Sequence, residues 1–100
     1  MEDIKEYLED NNFEIISQNT NDVVVSYKFD LVELDAARAF INEEDILEEN
    51  KEEEYKEYLK EIASDNLEDT LDEIFEELDI ELNFEVRDFI ENKQIFIVKK

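Results

Sequence analysis

Cysteine, histidine, glycine, proline and tryptophan occur nowhere in this chain of 100 residues. Each absence removes a class of chemistry. Without cysteine there is no disulfide, no thiol nucleophile and no thiolate metal site. Without histidine, the commonest general base and the commonest transition-metal ligand are both missing. Without glycine, a phosphate-cradling loop of the usual kind cannot form, and a calcium loop loses its sharp turn. Ser17, Ser26 and Ser64 have no histidine to activate them. No catalytic residue, cofactor or specific metal site is expected. The chain does not read as an enzyme.

Positive charge is scarce as well. Lys and Arg number 10 against 32 Asp and Glu, a formal net charge of −22. That balance repels nucleic acid and anionic membrane and attracts basic protein surfaces. High charge alone would permit disorder, but Leu, Ile, Val and Phe supply 33 of the 100 residues. Disordered acidic chains usually fall below about 20% on that measure. Residues 1–100 are therefore expected to fold, as one domain. Long hydrophobic runs are lacking: nothing approaches the roughly 20 apolar residues of a membrane span. The opening MEDIKEYLEDNNF is neither basic nor apolar enough for a signal peptide. The expected location is the cytoplasm. Salt adaptation also acidifies surfaces, but Glu outnumbers Asp 21 to 11 and Ile plus Phe total 18, which argues against it.

Residues 2–10 place Ile4, Tyr7 and Leu8 on one helical face, and Asn11-Asn12 suit a left-handed helix end. Phe13 and Ile15 begin a strand, residues 18–22 read as a turn, and Val23, Val25, Tyr27 and Phe29 alternate as a half-buried strand. From Leu31 the period turns helical, with Leu34, Ala37, Phe40 and Ile41 on one face. Ile46 and Leu47 leave room for an extension. EENKEEE at 48–54 holds no apolar residue, so the helix either ends there or crosses open solvent; the favoured reading is a break near Asn50 and a second helix over 51–63 facing inward with Tyr55, Tyr58, Leu59 and Ile62. Asp65 stands three before Glu68, which reads as a capping box opening a third helix. Leu67, Leu71, Ile74, Phe75 and Leu78 form its apolar stripe. Ile80, Leu82, Phe84 and Val86 alternate, Glu91-Asn92-Lys93 reads as a turn, and 95–98 closes as a strand. The fold class is α+β: an antiparallel sheet of two hairpins with helices packed on one face, in the order α-β-β-α-α-α-β-β.

Between Lys60 and Arg87 lie eleven carboxylates and no cation across 26 residues. Glu–Lys pairs four apart stabilise a helix mildly and like-charge pairs cost a similar amount, so this segment forgoes stability. The candidate partner-binding residues are its two rows four apart, Glu68, Asp72 and Glu76 beside Asp69, Glu73 and Glu77. A second stripe includes Glu49, Glu52, Glu53 and Glu57. Four helical residues rise about 6 Å, comparable to the roughly 6–7 Å between phosphates along one strand of DNA. Two such stripes at a groove-like separation would imitate a duplex backbone. The plainer reading is a solvated, solubilising face. Repulsion within the rows predicts that mild acidification or added salt stabilises the fold, until protonation of a helix cap such as Asp65 reverses the gain.

In size, acidity and helix–hairpin content, with the stripes EENKEEEYKEYLKE and LEDTLDEIFEELDIE, the chain resembles the small acidic viral proteins that mimic DNA, of the anti-CRISPR and anti-restriction kinds. The resemblance implies a non-catalytic inhibitor that occupies the basic nucleic-acid-binding surface of a host nuclease or ribonucleoprotein effector. It implies no direct contact with nucleic acid or membrane. The alternative is an acidic adaptor or assembly subunit, a homodimer among its forms, which pairs through an apolar sheet edge such as 94–98.

Overall fold

In the computed structural model, which describes residues 2–100, a four-stranded antiparallel sheet has the order β1-β2-β4-β3. The elements are α1 (Glu2–Asp10), β1 (Phe13–Gln18), β2 (Asp22–Lys28), α2 (Leu31–Glu43), a 3-10 turn (Glu48–Asn50), α3 (Lys51–Leu78), β3 (Asn83–Ile90) and β4 (Lys93–Lys99). The α+β class is present and the order matches the expected one, with the 3-10 turn leading directly into α3, which joins the two expected helices at 51–63 and 67–78. Each hairpin pairs with itself, and the two join through β2 and β4.

The alternation in the strands decides what faces inward. Val23, Val25 and Tyr27 of β2 and Gln94, Phe96 and Val98 of β4 are buried. They meet Ile4 and Leu8 of α1 and Ala63, Leu67, Leu71 and Ile74 of α3. Phe96 is the hub, its ring edge-on to Phe84 at 5.6 Å and to Phe13 at 6.3 Å. Gln94 is buried for a reason visible in the backbone. A bulge between Val86 and Phe89 breaks the β3–β4 ladder, and the Gln94 Nε2 donates to the Arg87 carbonyl at 2.8 Å and reaches that of Asp88 at 3.3 Å. These bonds give the buried Gln94 amide its hydrogen-bond partners.

A chain without glycine must turn on other residues. Asn12, Asp79, Glu91 and Asn92 all have positive φ, a region Asn and Asp tolerate better than most. Asn12 ends α1 as expected, with the Asn11 side chain donating to the Tyr7 carbonyl at 2.7 Å. Glu91-Asn92 forms a two-residue hairpin with both φ values positive, the geometry most often filled by Asn-Gly.

Six expectations are corrected. Residues 51–63 and 67–78 are one unbroken helix of 28 residues. Asp65 is consequently an exposed helix-interior residue and caps nothing. The capping box forms at Asp30 instead, whose Oδ1 accepts from the Glu33 amide at 2.8 Å while Glu33 Oε1 accepts from the Asp30 amide at 3.1 Å. Phe75 and Leu78, placed in the core by periodicity, are 49% and 37% exposed. They lie at the helix end, where neither α1 nor the sheet covers them. Ile80 and Leu82 precede β3, and Ile46 and Leu47 lie outside α2. Finally, β4 is an interior strand, so residues 94–98 offer no free edge; the edges are β1 and β3.

Tyr27 joins three elements. Its hydroxyl donates to Glu33 Oε2 of α2 at 2.8 Å and accepts from Asn66 Nδ2 of α3 at 2.6 Å. Burial, and then the neighbouring Glu33 carboxylate, raise the Tyr27 pKa. A raised folded-state value means the neutral phenol is favoured in the fold. This stability is complete below tyrosine's ordinary pKa of about 10 and is lost as pH rises through the folded value. Tyr27→Phe should cost about 1–3 kcal/mol at neutral pH, because Glu33 and Asn66 lose a partner. Thermal melts should show the gap between natural protein and variant narrowing as pH rises from neutrality to well above the ordinary tyrosine pKa. An unchanged gap would refute the linkage.

Candidate protein-binding face

Twelve carboxylates lie on α3 itself. At 1.5 Å per residue a helix of 28 residues is about 42 Å long, close to the molecule's longest dimension of 44 Å. The helix therefore spans the whole protein. Its buried residues, Leu59, Ala63, Leu67, Thr70, Leu71 and Ile74, fall on one side. At 100° per residue, the direction opposite this side is occupied by Glu54, Glu61, Asp65, Glu68, Asp72 and Glu76. Each is exposed. From Glu61 to Glu76 the ridge is about 22 Å long.

Continuity of the helix changes the expected geometry. The parts of the two stripes within α3, 51–61 and 67–78, run end to end on one axis and do not stand side by side across a groove. The ridge corresponds to one phosphate strand, not two. Continuity also brings in Asp65, which with Glu61 at the end of the first stripe bridges the two halves. A break before Asp65 would have separated them.

All ten predicted partner-binding residues are exposed, but they divide by charge environment. Glu52 pairs with Lys56 at 3.4 Å and Glu57 with Lys60 at 3.2 Å. Glu49 lies in the 3-10 turn before the helix, and Glu53 on its first turn. Among the described residues, Glu49, Glu53, Glu68, Asp69, Asp72, Glu73, Glu76 and Glu77 have no ion-pair partner. The bare stretch is the C-terminal half. Glu73 and Glu77 of the second row lean toward α1, where partial burial and then the Glu77 and Glu73 carboxylates raise the pKa of Tyr7.

The helix end compounds the repulsion. The C-terminus of a helix carries partial negative charge and favours cations, yet the last turn of α3 contains none. Glu76, Glu77 and Asp79 stand there instead. Like-charge pairs four apart cost about 0.2–0.5 kcal/mol each, and Glu68–Asp72, Asp72–Glu76, Asp69–Glu73 and Glu73–Glu77 make four. Screening should recover much of this. The melting temperature is expected to rise by several degrees between low salt and about 0.5 M NaCl. A flat or falling melting temperature would contradict it. Opposing this trend on the acid side, a hydrogen bond from Lys99 holds the Glu85 carboxyl below its usual range. That contribution is present above the ordinary carboxylate pKa and disappears as pH falls through the folded value.

Sequence reasoning missed one feature. Beside the ridge, α3 and the 81–84 segment enclose two adjoining depressions of about 300 Å³ each. Leu71, Asp72 and Leu82 line both, Glu68 and Phe84 the first, and Phe75 and Glu81 the second. Assigning Phe75 to the core hid it. The signal available was the crowding of apolar residues at 67–84 beyond what one helix stripe can bury.

No group of His, Cys, Asp or Glu among the described residues is arranged to hold a metal ion. Among them, too, no helix is long and apolar enough to cross a membrane. No protein-family model matches the chain, and neither a curated protein nor a solved structure matches it significantly.

Proposed function

We propose that this protein is a non-catalytic inhibitor that binds the basic, nucleic-acid-binding surface of another protein and excludes DNA or RNA from it. The target class is a nuclease or a ribonucleoprotein effector of the CRISPR type. One observation carries this reading: α3 presents an uninterrupted ridge of carboxylates from Glu61 to Glu76 with no cation between them. Helical spacing sets these carboxylates about 4.5–6 Å apart along the axis, approaching the phosphate spacing along one nucleic-acid strand. Fold stability does not account for the ridge, since its like-charge pairs and its acidic helix end both work against it. Binding would be electrostatic, with fast steered association that weakens as salt rises.

A photo-crosslinking residue at Asp69, on the ridge flank, tests the partner class. The expected capture is a protein that binds nucleic acid alone and fails to bind it once complexed. A captured partner that keeps its nucleic acid in the complex would overturn the reading. Assembly through residues 94–98 has lost its basis, because β4 is flanked on both sides.

A further inference from the structure

The acidic ridge borders a groove lined by both apolar and acidic side chains, and the combination narrows what the partner presents. Phe75 and Leu78 are the exposed large apolar residues of α3. Phe75 lines the groove with Leu71 and Leu82. Around it stand Glu68, Asp72 and Glu81, and among the described residues no cation lines either depression. A phosphate-like surface has no use for such a groove, because nucleic-acid-binding channels recognise phosphates by charge and hydrogen bonds. A wholly apolar occupant would leave the flanking carboxylates desolvated and unpaired, which is costly. The helix C-terminus beside the groove favours a cation, and the last turn of α3 holds none.

We infer that the groove between α3 and the 81–84 segment seats a cationic amphipathic segment of the partner protein, one whose apolar side chain packs on Leu71, Phe75 and Leu82 while flanking Lys or Arg side chains pair with Glu68, Asp72 and Glu81. This inference rests on the proposed basic partner and adds an apolar anchor to it. The ridge supplies steering and the groove supplies the contact that holds, as buried apolar anchors do in other interfaces. The uncovered face of the sheet, with Ile95 and Ile97 half-buried at its centre, is the competing apolar surface. On that face Lys28 and Lys93 pair with Glu14 and Lys99 pairs with Glu85, so its carboxylates are already compensated, unlike those around the groove.

The probes are a short synthetic peptide alternating lysine and leucine and a control with serine in place of leucine. Each is titrated into the full chain at moderate salt. The lysine–leucine peptide should bind about tenfold or more tightly than the control, the value of burying one large apolar side chain. Phe75→Gln with Leu78→Gln should abolish that preference without weakening the control. Methyl resonances of the natural protein give a readout independent of any variant: the lysine–leucine peptide should shift those of Leu71 and Leu82. Equal affinity of the two peptides, or shifts confined to Ile95 and Ile97, would overturn the groove and leave the charge reading intact. If neither peptide binds, the basic-partner reading falls, and the groove with it.

Discussion

A variant with Glu68, Glu73, Glu76 and Glu77 changed to glutamine and Asp72 to asparagine is expected to fold at least as well as the natural chain while losing its partner. The side chains keep nearly the same shape, and all five are exposed, so Leu67, Leu71 and Ile74 stay packed. Removing the charges relieves like-charge pairs four apart and the acidic helix end. At about 0.2–0.5 kcal/mol per pair the gain is about 1 kcal/mol, or roughly 4–8 °C in melting temperature for a domain of this size. Binding should move the other way. A desolvated charged contact is worth about 1.5–3 kcal/mol, so losing two or three weakens the complex by about two to six decades. Lys51→Gln, at the far end of α3 in an exposed pair with Glu48, should change neither quantity much. Melting curves and binding titrations on the same samples separate the two effects. A variant that unfolds, or one that binds as before, would each count against the assignment.

Asp65→Pro is expected to have the largest effect on stability. In an unbroken helix, proline at this position removes the hydrogen bond to the Glu61 carbonyl and clashes with it, at a cost of about 3 kcal/mol or more. The melting temperature should fall by roughly 12–24 °C, and the surviving folded molecules would carry a kinked ridge that binds poorly. Asp65→Ala reads the same geometry through its sign. At an N-cap the change would cost about 0.5–2 kcal/mol; within the helix alanine is the better former, so stability should hold or rise slightly. A proline variant that melts like the natural chain, or an alanine variant clearly destabilised, would place a helix boundary at Asp65.

Two stretches with the same spacing, Asp30 to Glu33 and Asp65 to Glu68, explain where the sequence could be read and where it misled. Both have the form of a capping box. The first follows the alternation of Val23 to Phe29, so the chain arrives extended and the box closes. The second follows residues 51–63, already helical and unbroken by any glycine or proline, and propagation is easier than stopping and nucleating afresh. The inward face across the supposed break is made by Ala63, Leu67 and Thr70. Thr70 is buried only because its hydroxyl donates to the Asn66 carbonyl at 2.8 Å, a contact that no hydrophobic pattern displays. Phe75 and Leu78 misled in the opposite sense, since periodicity says which residues share a face and not how far the neighbouring layer extends. The hairpins were legible because strict alternation fixes the buried face. The pairing of β2 with β4, which puts the terminal strand inside the sheet, depends on long-range contacts that local pattern does not encode. Carboxylate exposure was legible throughout; the collinearity of the two acidic stripes was not.

Displacement of labelled DNA from a preformed partner–DNA complex decides whether the carboxylates of α3 stand in for phosphates. The natural protein should release the DNA with one-to-one stoichiometry, and should need higher concentration as salt is added. The five-site variant, confirmed as folded by its melting curve, should leave the DNA bound across the same concentration range. A folded variant that releases DNA at the concentration of the natural protein would contradict the proposed mimicry and leave the acidic ridge as a solvated face.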